Sequence, residues 1–398
     1  MAKIIIHNEK VKDPEAVKAM CPFDAIDNIN GYLQINAACK MCRFCLKNDT
    51  EGIFEYVEHE AEEIDKDAWN GIAVYVDHLD GDIFPVSFEL IGKARELAAK
   101  IDKPVYALML GSDISAKAER ILHYGVDEVF VYNDKALKHF RIEPYTAAFE
   151  DFIQKIKPST VLIGGTNVGR SLAPRIAARC RTGLTADCTV LDMQKSSDLD
   201  QIRPAFGGNI MAHINTPNHR PQFATVRYKI FSAPERIEKA AGRVTEMSIE
   251  PDKLKSGIKV LDVKPKPKEA GIEEAEVIVV AGRGLKKADD MRMIEKLADL
   301  LGAQIAGTRS LIEAGWLDPK KQIGLSGRTV KPRLIITCAV SGAIQFVAGM
   351  NTAEHIIAIN TDKNAPIFKT AHVGIVGDIY EIIPALIGKI KAAEESLA

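Results

Sequence analysis

The chain is short of net charge, of long apolar runs and of paired histidines, and each shortage removes a class of function. Its 52 lysines and arginines against 54 aspartates and glutamates leave a formal net charge of −2 over 398 residues, so no polyelectrolyte partner such as nucleic acid is expected. No stretch approaches the roughly 20 consecutive apolar residues that span a bilayer. The opening Met-Ala-Lys-Ile-Ile-Ile-His lacks the apolar core and small-residue cleavage site of a secretory leader, and the expected location is cytoplasmic. The nine histidines are scattered without metal-ligand spacing, and no cluster of acid, base or nucleophile marks a substrate site of the chain's own. A hydrophobic content of 46% is enough for two or three ordinary domains.

Cysteine is also scarce, yet four of the seven stand within the first 45 positions. Cys39, Cys42 and Cys45 form a C-x2-C-x2-C run, and a Cys-Pro step, Cys21 and Pro22, precedes it. A [4Fe-4S] cubane takes four thiolates at the corners of a tetrahedron; a tight loop supplies three when two residues separate the ligands, and the fourth arrives from elsewhere. Cys21 is the natural fourth. In two-cluster bacterial ferredoxins the cysteine before proline ligates the other cluster, so a Cys-Pro and a later triple run close one complete site. The partners of a second cluster would fall at Val11, Pro14, Val17 and Asp49. None is cysteine, and the region resembles a two-cluster ferredoxin that holds one. Four clustered cysteines also suit a structural zinc, which stays open as the alternative. Cys180, Cys188 and Cys338 lack framework spacing and read as reduced, buried thiols.

The acidic and polar stretch Ala61 to Asn70 separates the cysteine region from the remainder of the chain. Beyond it, strand-length apolar runs (Ile72 to Val76, Val105 to Leu110, Glu128 to Tyr132, Thr160 to Ile163) alternate with helix-length amphipathic segments (Phe88 to Lys100, Ala116 to Tyr124, Tyr145 to Ile156). That alternation predicts a doubly wound, mostly parallel sheet. The lysine- and proline-rich stretch Asp252 to Glu273 reads as a linker. A second α/β unit comes after it, with strands Glu276 to Ala281, Gln304 to Ala306, Arg333 to Thr337, Ile356 to Ile359 and Gly374 to Val376, and helices near Asp289 to Leu301, Ser341 to Ala348 and Ile379 to Lys391. The expected domains are residues 1–66, 67–262 and 263–398.

In the last unit small or hydrogen-bonding residues come after nearly every strand: Gly282-Arg283-Gly284, Gly307-Thr308-Arg309-Ser310, Ser341-Gly342-Ala343, Asn360 and Gly377-Asp378. Ligands of open α/β sheets bind at that edge. Glycines there admit a pyrophosphate to the backbone, helix N-termini supply donors, and arginines and hydroxyls add phosphate and ring contacts. The pattern points to a dinucleotide. It is not the G-x-G-x-x-G fingerprint, because Lys286 and Lys287 occupy the span of its third glycine.

The runs VIVVAGRGLKK, GTRSLIEAGW, IGLSGRTVKP, AVSGAIQFVAGM, IIAIN and APIFKTAHVGIVGD together resemble the FAD domain of the electron transfer flavoprotein α subunit, and GGTNVGRSLAPRIAARCRTGLTADCTVL with FGGNIMAHI resembles that subunit's first domain. With the cysteine-rich extension, the chain is similar to the ferredoxin-fused α subunits of flavin-based electron-bifurcating complexes. The resemblance implies a small ferredoxin-like α+β domain, then two doubly wound parallel-sheet α/β domains, the last a Rossmann-like FAD-binding domain. It implies FAD contacts from Arg283, Thr308, Arg309, Ile323, Gly324, Leu325, Ser326, Ser341, Gly342, Ala343, Ile344, Gln345, Phe346, Asn360, Asp378 and Ile379. Arg309 would counter negative charge on the reduced ring, and the Ser326 hydroxyl would donate to flavin N5. Phe346 stands where the family often has a histidine at the pyrimidine edge, and Ser326 where threonine is common.

The implied function is electron carriage by FAD and one [4Fe-4S] cluster held by Cys21, Cys39, Cys42 and Cys45. The implied partners are a β subunit whose flavin is fed by NADH, an acyl-CoA dehydrogenase-type or other flavin oxidoreductase, and ferredoxin. The alternatives are a non-bifurcating flavoprotein dehydrogenase subunit and a nucleotide-binding subunit with a structural zinc.

Overall fold

A computed structural model describes residues 2–36, 38–58, 64–205, 208, 210–264 and 271–397, and the chain divides into two compact units, Met1–Ile64 and Asp65–Ala398. Part of the expected first boundary (61–63), the Lys-Pro run of the linker (265–270) and three residues of FGGNIMAHI (206, 207 and 209) lie outside the described residues.

In the first unit, strands Ala2–Ile6 and Phe54–Glu58 pair antiparallel, and strands Ile26–Ile29 and Tyr32–Ile35 form a hairpin. Asn30 and Gly31 turn that hairpin with φ of 54° and 86°, the left-handed pair that a two-residue turn needs to match strand twist. Helix Pro14–Ala19 starts on Asp13, whose carboxylate accepts from the amides of Glu15 and Ala16 at 3.1 Å, with proline in the first turn where no N–H is missed. Ile4, Val17, Ile26, Leu33, Ile53 and Phe54 make its core, and Cys45 packs among them. The order is α+β.

The second unit holds two parallel sheets. In the seven-stranded one the order is Leu184–Thr185, Gln222–Val226, Thr160–Gly164, Ile72–Tyr75, Val105–Gly111, Glu128–Asn133 and Arg243–Met247, with every pairing parallel. Leu90, Ile91, Ala94 and Leu97 of helix Pro85–Ala99 cover one face. Phe149, Phe152 and Ile153 of helix Ile142–Ile156 cover the other with Leu172 and Ile176 of helix Asn167–Arg179. Strands buried on both faces read as unbroken apolar runs, which is why they stand out in the sequence. A three-stranded antiparallel sheet, Val190–Met193, Leu199–Ala205 and Ile210–Ile214, is an addition to the expected βα alternation. Its root is a buried ionic knot: Asp198 accepts from Arg220 at 2.8 Å and from Lys66 at 2.7 Å.

The second sheet runs Gln304–Gly307, Val277–Ala281, Leu334–Cys338, His355–Asn360 and Val373–Val376, all parallel. Helices Met291–Leu300 and Ile379–Leu397 lie on one side, where Ile294, Leu297 and Ile383 are fully buried. The helix expected from Ser341 to Ala348 shrinks to Ile344–Val347. Gly342 sits at φ +85°, outside helical space, so the chain stays open from Ser341 to Ala343. In the linker, Leu254 and Ile272 are buried anchors, while Ile258, Leu261 and Val263 remain exposed.

Where the two sheets' domains meet, Glu89 of helix Pro85–Ala99 is only 6% exposed and accepts from the Lys229 amide at 2.9 Å. Burial pushes its carboxyl up to about 7, against the Lys229 amide and the charges of Lys229 and Lys331, with Glu274 adding to the rise. An acid raised in the folded state contributes stability that is whole below its unfolded value and lost as pH rises through about 7. Glu89→Gln is therefore expected to unfold about 2–4 °C higher than the natural chain at pH 8, the gap closing as pH falls toward 5. Calorimetry across that range checks it.

Candidate cofactor-binding sites

Cys21, Cys39, Cys42 and Cys45 all line one small cavity, walled also by Pro22, Phe23, Ile26 and Phe44. Cys21 lies just past helix Pro14–Ala19, Cys39 and Cys42 lie on the loop that enters helix Phe44–Lys47, and Cys45 lies in that helix. On that loop Met41 and Arg43 take φ of 52° and 59°. Left-handed residues alternating with ordinary ones are the kind of backbone that can form an anion-binding cradle. The Cys21 sulfur accepts from the Ala25 amide at 3.4 Å. Burial pushes the Cys45 thiol up, the amides of Leu46 and Cys45 offset part of this, and Cys39 and Cys21 add to the rise. Cys21, Cys39 and Cys45 are therefore electrostatic neighbours. Among the described residues no group of three or more His, Cys, Asp or Glu is gathered as a single-ion site. The fold brings the four cysteines to one cavity.

The second site lies at the carboxyl edge of the five-stranded sheet. Numbered along the chain, its strand order is 2-1-3-4-5, so the direction of winding reverses between Val277–Ala281 and Leu334–Cys338, and a crevice opens where the loops leaving them diverge. The loops meet at the backbone: the Gly282 amide donates to the Cys338 carbonyl at 2.9 Å. A Cβ on Gly282 would lie 2.2 Å from the Ala339 oxygen, so only glycine allows this approach. The Asn360 side-chain amide donates to the Val340 carbonyl at 2.8 Å, and the Gly377 amide donates to the Asn360 carbonyl at 3.0 Å, which links the ends of the third, fourth and fifth strands.

On the other flank the Ile323 amide donates to the Gly307 carbonyl at 3.1 Å, and the Leu325 amide to the Gln345 carbonyl at 2.9 Å. Thr308, Ile323 to Ser326 and Ser341 to Gln345 thus share one rim. Ser341, Ala343, Ile344, Gln345, Ser326 and Arg283 are exposed along it. The Thr308 hydroxyl begins helix Arg309–Glu313 yet makes no cap bond and is buried without a partner. A buried polar atom left unpaired is costly, so Thr308 fits a site that a ligand completes. Arg309 is 70% exposed at the side chain and pairs with Glu313 at 2.8 Å. Asp378 caps the last helix, accepting from the Tyr380 amide at 3.0 Å. Phe346, Ile379 and Ile323 face inward: Phe346 is 6% exposed and packs in the apolar core.

One contact on this rim has no sequence signal. Arg227, from the end of the strand Gln222–Val226, donates to the Leu325 carbonyl at 2.7 Å and to Asp187 at 2.6 Å; 98 residues separate Arg227 from Leu325. The three remaining cysteines supply no nucleophile, since burial pushes Cys188 and Cys338 up to about 12 and Cys180 up to about 11.

Two family models match the chain: an electron transfer flavoprotein domain over residues 72–252 and an electron transfer flavoprotein FAD-binding domain over residues 271–351. The chain is 58% identical over 394 residues to the lactate dehydrogenase (NAD(+),ferredoxin) subunit LctC of Acetobacterium woodii, covering 99% of this chain and 94% of that one. It is 39% identical to the electron transfer flavoprotein subunit alpha of Thermoanaerobacterium thermosaccharolyticum, covering 82% and 98% respectively. It is 36% identical to the acryloyl-CoA reductase electron transfer subunit beta of Anaerotignum propionicum, covering 83% and 98%.

Thr308→Val removes the unpaired hydroxyl at constant shape. The FAD-free chain is expected to unfold at the same temperature or slightly higher, while its FAD dissociation constant rises roughly 3- to 10-fold. Calorimetry and flavin titration read the two effects separately, and unchanged affinity removes Thr308 from the site.

Proposed function

The chain belongs to the electron transfer flavoprotein family as an α-type subunit, and from that premise we propose that its two cofactor sites serve one traffic in electrons. The family fold supplies FAD binding at the carboxyl edge of the second sheet. When bound, FAD provides chemistry that accepts and releases electrons singly or in pairs. The chain's residues then bind and orient: Thr308 offers its hydroxyl, Gly282 and Gly342 let the backbone come close, and Arg283 and the exposed Ser341 to Gln345 segment supply the polar rim. Arg309, which pairs with Glu313, would counter negative charge on the flavin ring.

The reading of the first unit rests on a single observation, the convergence of Cys21, Cys39, Cys42 and Cys45 on one cavity. These residues hold one [4Fe-4S] cluster, and the unit handles a low-potential branch toward ferredoxin. Two features support a partner on the middle domain. Its antiparallel sheet carries exposed Val190, Ile210 and Met211, an apolar group of the kind that marks interfaces, and electron transfer flavoproteins work as α and β subunits together. The names of the relatives point the same way: one belongs to a lactate dehydrogenase that uses NAD(+) and ferredoxin, another to an acryloyl-CoA reductase. The complex is accordingly proposed to be bifurcating, dividing electrons from NADH between a flavin-dependent dehydrogenase and ferredoxin.

An anaerobic preparation of the chain with its β subunit is expected to contain about four irons and four sulfides per α subunit. Cys21→Ala should lose the cluster absorbance and NADH-driven ferredoxin reduction while keeping its FAD. Zinc in place of iron, or ferredoxin reduction that survives the substitution, overturns this reading.

A further inference from the structure

The loop from Gln322 to Arg328 closes on itself, the Arg328 amide donating to the Gln322 carbonyl at 2.7 Å and the Gly327 amide to the Gly324 carbonyl at 2.9 Å. Its tip is the peptide between Leu325 and Ser326. The Leu325 amide is held by Gln345 at 2.9 Å, and the Leu325 carbonyl is held from the neighbouring domain by Arg227 at 2.7 Å. The peptide is trans. In a planar trans peptide the C=O and N–H point in opposite directions, so gripping the carbonyl fixes where the Ser326 N–H aims, away from Arg227. Among the described residues no acceptor meets that N–H, and Ser326 is exposed.

Arg227 is itself held in place. Its other terminal nitrogen donates to Asp187 at 2.6 Å, and Arg170 stands 3.6 Å from the same carboxylate. Burial acts to raise Asp187, but the Arg227 hydrogen bond and the charges of Arg227, Arg170 and Arg203 together outweigh it and hold the group below its ordinary value. The Arg227 Nε is buried without a partner, so the side chain does not owe its position to saturating every donor. Two ends of one planar guanidinium joining a carboxylate to a carbonyl form a rigid strut.

We propose that Arg227 is a positioning residue for the flavin: it holds the Leu325–Ser326 peptide in the orientation that frees the Ser326 N–H as a donor to the bound ring system. This rests on the reading that residues 323–326 lie against FAD. A flipped peptide would present the Leu325 carbonyl there instead, replacing a donor with an acceptor beside a ring that gains negative charge on reduction. Arg227 never touches the cofactor; its influence passes through one peptide plane.

The test uses the full chain loaded with FAD and four variants: Arg227→Met, Arg227→Lys, Asp187→Asn and Ser326→Ala. Arg227→Met is expected to shift the visible absorption of the bound flavin and to raise the FAD dissociation constant roughly 3- to 10-fold. Arg227→Lys, which keeps the positive charge and an N–H donor group, should recover most of both changes. Asp187→Asn should shift the spectrum in the same direction by less, and it serves if Arg227→Met does not fold. Ser326→Ala reports whether the loop lies at the flavin at all. If Ser326→Ala moves the flavin spectrum and the Arg227 and Asp187 variants change only the unfolding temperature, Arg227 is a domain contact and the proposal is overturned. A shift in Arg227→Met that lysine does not lessen also overturns it. If none of the four variants moves the spectrum, the placement of residues 323–326 at the flavin fails first, and the proposal with it.

Discussion

The FAD-domain crevice depends on a backbone approach that tolerates no side chain. At the reversal of strand order, Gly282 lies so near Ala339 that a Cβ would stand 2.2 Å from its carbonyl oxygen. The loops leaving the first and third strands are joined there by the bond from Gly282 to Cys338 and then diverge. Gly342 extends the constraint: its φ of +85° ends any helix before Ile344, and a Cβ would meet the Ile367 amide at 2.2 Å. Those two glycines leave bare backbone beside a rim of exposed residues. A pyrophosphate-bearing cofactor requires such a surface.

The chemistry of the chain is that of a holder and conductor. Outside the two sites, burial pushes Cys188 and Cys338 up to about 12, and Asp198 is locked by Lys66 and Arg220. Such groups stabilise or specify the fold. The two sites lie in different compact units. One is a cavity walled by cysteines and apolar side chains, the other an open polar edge.

Much of this is legible in the sequence wherever one local rule dominates. Strands buried on both faces, such as Val277–Ala281, announce themselves as apolar runs, and the C-x2-C-x2-C spacing with Cys21 names the residues that line the first cavity. The antiparallel sheet from Val190 to Ile214 does not stand out, because its strands alternate buried and exposed residues over short stretches and end in a buried charge cluster. The helix at Ser341 is shorter than its pattern suggests, since one glycine's positive φ outweighs favourable periodicity. Phe346, expected as a flavin contact, packs its ring in the core. Arg227 lies out of reach because its meaning comes from a carbonyl 98 residues away, and backbone oxygens carry no sequence signature.

The central claim is that one chain carries two separately built redox sites. Its most direct test compares the cofactor content of the full chain with that of a chain beginning at Asp65, both prepared anaerobically with the β subunit. The prediction is equal FAD in the two, with about four irons per α subunit in the first and none in the second. Iron that persists without the first 64 residues, or FAD that leaves with them, would contradict it.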